Sequence, residues 1–181
     1  MDGAAGASDL GPLSTRFAAS CAFVIDRLEG GGALVVDAGG PTRWGISQRA
    51  HPDVDIERLA RADAVALYHE RYWRQVRADF LPPGLDLAVF DAAVNMGPAF
   101  AVKLLQRVLR VVDDGIPGPV TLATARVFVP QSELRALYNE IRLRSYEELV
   151  ATKPVHRPSL YGWRCRVMRL ADEAGRIGAD G

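Results

Sequence analysis

The sequence predicts a mainly α-helical fold built around one buried central helix, with a glycine-rich loop or short β-hairpin near residues 33–46. Three observations carry that reading. From Leu85 to Met96 almost every residue is apolar or small, and a helix that is apolar all round is buried all round. Phe17, Cys21, Val24, Ile25 and Leu28 recur at helical spacing and form one stripe of an amphipathic helix. After residue 37 no pair of alternating segments joined by a tight turn is evident, so little sheet is expected.

The elements follow in order. Residues 1–13 are small and polar and are read as a flexible tail. Ser14 or Thr15 is the N-cap of the first helix, which ends at Glu29 because Gly30-Gly31-Gly32 cannot continue it. Six glycines between residues 30 and 47 make a loop or hairpin, with a short strand within Ala33–Val36. A second helix runs through Asp63, Val65, Leu67, Tyr68 and Tyr72-Trp73, and Pro82-Pro83 breaks the chain behind it. The central helix ends at Gly97-Pro98. Further helices fit Phe100–Val111, Val120–Phe128, Leu134–Val150 and Gly162–Ala174. The connections between them include Asp113-Asp114-Gly115, which lacks the ligand run of a calcium loop and reads as a turn.

Composition narrows the function. The chain has 181 residues, 49% of them hydrophobic, enough for a substantial core in one domain or one two-lobed unit. Its 22 basic and 22 acidic residues cancel, which removes the electrostatic case for a nucleic-acid partner. Arg142, Arg144, Arg164, Arg166 and Arg169 are read as solvated helix faces. Neither the two cysteines nor the three histidines have metal-ligand spacing, so no metal or other cofactor is expected. Cys21 and Cys165 either bridge the chain ends or, the favoured reading, stay as two buried free thiols. No apolar run is long enough to span a membrane, and the N-terminus lacks the pattern of a signal peptide.

The chemistry concentrates around Glu29. A carboxylate at a helix C-terminus feels the negative end of the macrodipole, which favours its protonated form, and an apolar setting adds to that. Such a group can donate a proton near neutral pH. Asp37 lies a short loop away, the second carboxylate that glycosidic-bond cleavage ordinarily uses. A carboxyl separation of about 6.5–9.5 Å leaves room for an attacking water and inversion, and about 5–5.5 Å implies retention. Asp91 and Asn95 share one face of the central helix; hydrogen bonding inside the fold is the favoured role, with a sugar contact from Asn95 second. Trp44, within the glycine-rich loop, is the aromatic residue best placed to stack on a sugar.

Taken together, Glu29-Gly30-Gly31, Asp37-Ala38-Gly39-Gly40-Pro41-Thr42, Gly45-Ile46-Ser47, Tyr72-Trp73, Phe90-Asp91, Val94-Asn95, Leu105-Gln106, Asp114-Gly115, Gly118-Pro119, Gly162-Trp163 and Arg166 occur in an order that resembles glycoside hydrolase family 108. The later blocks resemble the predicted peptidoglycan-binding region of that family. The resemblance implies a lysozyme-like catalytic lobe over 14–96 and a helical peptidoglycan-binding lobe over 97–176, packed as one globule. It implies an N-acetylmuramidase acting on peptidoglycan glycan strands, with Glu29 as general acid and with Asp37 and Thr42 handling the water. Trp44 and Asn95 are then the candidate sugar contacts. Typical members carry a slightly longer segment between Glu and Thr, where this chain has Leu34-Val35-Val36. Many members are phage endolysins, which fits a monomer made in the bacterial cytoplasm without a signal peptide, released through a pore or another export route, and not inserted in a membrane. A lytic transglycosylase, which needs the acid alone, and a non-catalytic wall-binding or secretion-assisting protein are the alternatives.

Overall fold

The computed structural model describes residues 14–37 and 40–179, so the expected tail over 1–13 lies outside the described residues. The first helix, α1 (Thr15–Phe23), starts where Ser14 caps it. The Ser14 hydroxyl accepts a hydrogen bond from the Phe17 amide at 3.2 Å and donates one to Asp79 Oδ1 at 2.8 Å. α1 buries Phe17, Ser20 and Cys21, then widens into one π-helical turn over Val24–Leu28. The Glu29 amide therefore reaches back five residues, to the Val24 carbonyl at 2.9 Å. Gly30 and Gly31, both at positive φ, reverse the chain as expected of a helix stop.

The glycine-rich segment resolves into a three-stranded antiparallel sheet in the order β1 (Val35–Asp37), β2 (Gly40–Arg43), β3 (Ile46–Ser47). Val35 pairs with Thr42, Asp37 with Gly40, and Arg43 with Ile46. The expectation of no tight-turned strand pair beyond residue 37 is thus corrected. Trp44 (φ 55°) and Gly45 (φ 76°) form a two-residue hairpin turn with both residues left-handed. Gly45 is the usual residue for the second position of such a turn, but Trp44 is unusual at the first, so the hairpin left only a weak local signal.

The second helical run is α2 (Arg61–Tyr68), continued by a second π turn over His69–Trp73. The central helix, α3 (Leu85–Met96), occupies the predicted span, and every residue from Leu85 to Ala93 is buried. Around it pack α4 (Pro98–Leu109), α6 (Gln131–Thr152) and α7 (Leu160–Ala179), while α5 (Pro119–Val127) lies on α4. Several helices begin earlier than apolar periodicity indicates, because Pro98 and Pro119 occupy first-turn positions where a missing N–H costs nothing. The Asp113-Asp114 turn closes as predicted: the Asp114 carboxylate accepts from the Ile116 amide and from Gln106 Nε2.

One hydrophobic core runs from Phe17 in α1 to Ala174 in α7. At its centre Phe17, Trp73 and Phe90 meet edge to face, with centroids 5.3 Å apart for Phe17–Trp73 and for Trp73–Phe90. Each such side chain contributes roughly 1.5–3 kcal/mol by burial. Cys21 and Cys165 are both free; Cys21 is buried, and burial pushes its thiol up to about 12, whereas Cys165 is half-buried rather than buried as read from the sequence. Among the described residues no helix is long and apolar enough to cross a membrane.

α7 lies against the start of α3 at Gly84, whose φ is +81° and where a Cβ would overlap the Ala174 carbonyl. Gly84→Ala is expected to destabilise the fold by at least about 1–3 kcal/mol, the cost of a left-handed non-glycine residue, measurable as a lower urea midpoint.

Candidate active site

Glu29 is the last residue of the α1 and π-turn segment, its side chain 18% exposed. The hairpin tip lies directly on it. A Cβ added to Gly45 would fall 2.5 Å from Glu29 Cγ, 2.6 Å from Cδ and 2.6 Å from the Tyr68 hydroxyl. Only a glycine permits that approach, and Tyr68 fixes it by donating to the Trp44 carbonyl at 2.9 Å. The π turn contributes by presenting the carboxylate at the helix end toward β2–β3. Burial raises the Glu29 pKa above its ordinary value, and the Arg166 guanidinium, 2.7 Å from Oε1, pulls it only part of the way back. Desolvation is the largest of the effects that favour its proton, and the buried Asp91 charge adds to it.

Arg166 connects Glu29 to a buried ion network. Its guanidinium also donates to both oxygens of Asp91, with Nη2–Oδ1 at 2.7 Å and Nε–Oδ1 at 3.0 Å. Arg142 Nη2 pairs with Asp91 Oδ2 at 2.7 Å, both side chains having no exposure. Burial alone would raise Asp91, but the two guanidinia outweigh it and hold the carboxyl below its ordinary range. Arg142 then donates to the Tyr146 hydroxyl at 3.1 and 3.2 Å, and that hydroxyl donates to Asn95 Oδ1 at 2.5 Å. The reading of Arg142 and Arg166 as solvated helix faces is overturned: Arg142 is 0% exposed and Arg166 12%, because each satisfies a buried carboxylate. Arg144 and Arg164 are exposed and pair with Glu140 and Glu147.

The remaining candidates separate in space. Asp37 ends β1; its side chain lies outside the described residues. Thr42 sits half-buried in β2 between Val35 and Ser47, on the hairpin whose tip covers Glu29. Trp44 is engaged inside its own loop. Its indole lies where a Gly32 Cβ would be, Nε1 donates to the Leu59 carbonyl at 3.1 Å, and the Arg43 guanidinium stands 5.9 Å from the ring centroid. Asn95 is exposed, one turn beyond Asp91, at the far end of the ion network.

Sequence reasoning did not assign Arg166, Arg142, Tyr68 or His51 to the site. The buried His51 accepts from Arg71 Nη1 at Nδ1, so its proton sits on Nε2 and is donated to Tyr72 Oη at 2.8 Å. Burial and Arg71 both lower its pKa, which keeps it neutral. A usable signal for Arg142 was the stripe Tyr138, Arg142, Tyr146 on α6, which repeats at the spacing of one helix face and needs a polar partner such as Asp91.

A buried, desolvated acid at the junction of a helical body and a small sheet is site geometry suited to glycan cleavage. Residues 23–97 match the family model described as Glycosyl hydrolase 108, and residues 100–168 match the one described as Predicted Peptidoglycan domain. The solved structure of SagA from Brucella abortus is similar, at 30% sequence identity and a TM-score of 0.78, covering 90% of this chain and 95% of SagA. No curated protein sequence matches. The chain belongs to glycosyl hydrolase family 108: it is a glycoside hydrolase whose partner is peptidoglycan.

Asp91→Asn leaves two buried guanidinia facing a neutral amide. The expected loss is about 3–5 kcal/mol of stability, a fall in Tm on the order of 10 °C in a domain of this size, read by thermal denaturation.

Proposed function

We propose that this glycoside hydrolase is an N-acetylmuramidase of lysozyme type, cutting the β-1,4 bond between N-acetylmuramic acid and N-acetylglucosamine with Glu29 as general acid. The observation that carries the reading is a carboxylate whose pKa is raised by burial, at a helix end beneath a glycine hairpin tip. A strand laid alongside the Gly45 tip would bring its glycosidic oxygen to the part of Glu29 that stays exposed. Proton donation lets the bond to the anomeric carbon break with oxocarbenium character. Asp37 and Thr42, on the β1–β2 hairpin, are proposed to stabilise that cation and hold the water. Arg166 acts as a positioning residue that orients the Glu29 carboxyl. On this reading the monomer works on the wall outside the cytoplasm, reached by export or release through a pore, as an endolysin would.

A lytic transglycosylase reading is favoured by one observation. Among the described residues the carboxylate that shares a partner with Glu29 is Asp91, fully buried between two arginines where it cannot activate a water, and a transglycosylase needs the acid alone. Product analysis separates the two: a hydrolase leaves reducing ends and a transglycosylase leaves anhydro-muramyl ends, each recognised by mass in digested wall.

Glu29→Gln is expected to lower the rate of wall lysis by about 10²–10⁴-fold. The variant should remain folded. Because the folded-state pKa of Glu29 is raised, the stability tied to its protonated form is complete below the unfolded value and is lost as pH rises through the folded one. The amide escapes that loss, so its Tm at neutral pH should equal or exceed that of wild type. A fully lytic Glu29→Gln protein would remove Glu29 from the mechanism.

The alkaline limb of kcat/KM should follow the Glu29 proton and lie above the ordinary glutamate value. Arg166→Gln removes a charge that lowers the Glu29 pKa, so the limb should move to higher pH. A pH profile across the acid and neutral range tests this, and a limb that stays in place would uncouple Arg166 from the acid.

A further inference from the structure

A second concavity opens at the other end of the ion network. The C-terminus of α3, the start of α4, the second half of α6 and the start of α7 enclose a groove of about 440 Å³, lined among others by Asn95, Met96, Phe100, Tyr146, Glu148 and Trp163. Its floor is fixed. The Tyr146 ring stacks on Trp163 with centroids 4.7 Å apart and planes 19° from parallel. Two guanidinium N–H groups of Arg142 occupy the acceptor side of the Tyr146 hydroxyl, so its proton goes to Asn95 Oδ1. That bond commits the Asn95 carbonyl to the protein and turns its NH2 donors toward solvent. The groove hydroxyls are spent internally: Ser145 donates to the Ile141 carbonyl and Thr152 to the Glu148 carbonyl.

We infer that this groove is a subsite for an N-acetylated sugar of the same glycan strand that crosses Glu29; the inference rests on the muramidase reading above. Three features select that occupant. An aromatic face beside Met96 and Phe100 suits the C–H face of a pyranose and an acetyl methyl group. The outward amide donors of Asn95 suit the acetamido carbonyl. The one charged lining residue is Glu148, which disfavours an acidic peptide and offers an acceptor to sugar hydroxyls. Position agrees with chemistry. Trp163 stands three residues before Arg166 on α7, and Asn95 four residues after Asp91 on α3, a displacement of roughly 4.5–6 Å from the Arg166–Asp91 pair that holds Glu29. The groove thus begins about one helical turn from the ion pair that holds the acid.

The test uses the full chain carrying Glu29→Gln, labelled with 15N and titrated with the β-1,4 tetramer of N-acetylglucosamine, which has no peptide. The Trp163 indole N–H and the Asn95 side-chain amide are expected to shift together with Gly45. Two further substitutions probe the groove with the fold kept: Asn95→Asp retains the acceptor for Tyr146 and removes the donors, and Phe100→Ala trims a partly exposed ring. Each should weaken tetramer binding by roughly three- to tenfold with an otherwise unchanged amide spectrum. Shifts at Gly45 with none at Trp163 or Asn95 would overturn the subsite while leaving the muramidase reading in place. Response of Trp163 and Asn95 only to fragments bearing the stem peptide would overturn it as well, in favour of a peptide site. Failure of the underlying reading has its own signature, full wall lysis by Glu29→Gln.

Discussion

Three helices of this protein meet on one carboxylate. Asp91 sits within the most apolar helix of the chain with no exposure, and it remains charged because Arg142 from α6 and Arg166 from α7 both reach it. A buried ion pair is weak evidence for net stability, since desolvation offsets much of the attraction. Its value lies in what it fixes. A bidentate guanidinium has one favourable orientation against a carboxylate, so the pair sets the rotation of α7 relative to α3. The same orientation points Arg166 at Glu29. Helix packing and the setting of the candidate acid are therefore one constraint.

Glu29 is held from the other side by a backbone. Its helix widens by a π turn before it ends, and the Trp44–Gly45 tip closes over the carboxylate with no side chain between them. Local departures from regular helix are common where a chain must aim a functional group, and here a second π turn follows Tyr68, the residue that anchors the tip. Burial then raises the pKa of the acid while Arg166 opposes it. The result is a group whose proton affinity depends on two independent features, cover by the hairpin and charge from α7.

Particular residues show how far the sequence could be read. The limits of α3 were legible because Pro82-Pro83 and Gly97-Pro98 bracket a run with no polar face, and Glu29 was legible because three glycines follow a helical stripe. Trp44 was placed in the right loop, yet its indole turns out to be engaged with Gly32 and Leu59, contacts that no local pattern encodes. The arginines of the last third looked alike in composition. Two of them are nevertheless buried, since only their partners, not their neighbours in the chain, distinguish them.

By itself, then, the sequence determined the helical architecture, the buried central helix and the place of Glu29, the candidate acid, at the end of the first helical segment. Periodicity, proline, glycine and capping act over a few residues, and so leave their record locally. The tertiary structure decided which charges meet. Asp91 and Arg166 lie 75 residues apart, and Gly45 reaches Glu29 only once the hairpin has folded over it. Contacts of that kind depend on how whole elements pack, and the raised pKa of Glu29 follows from them.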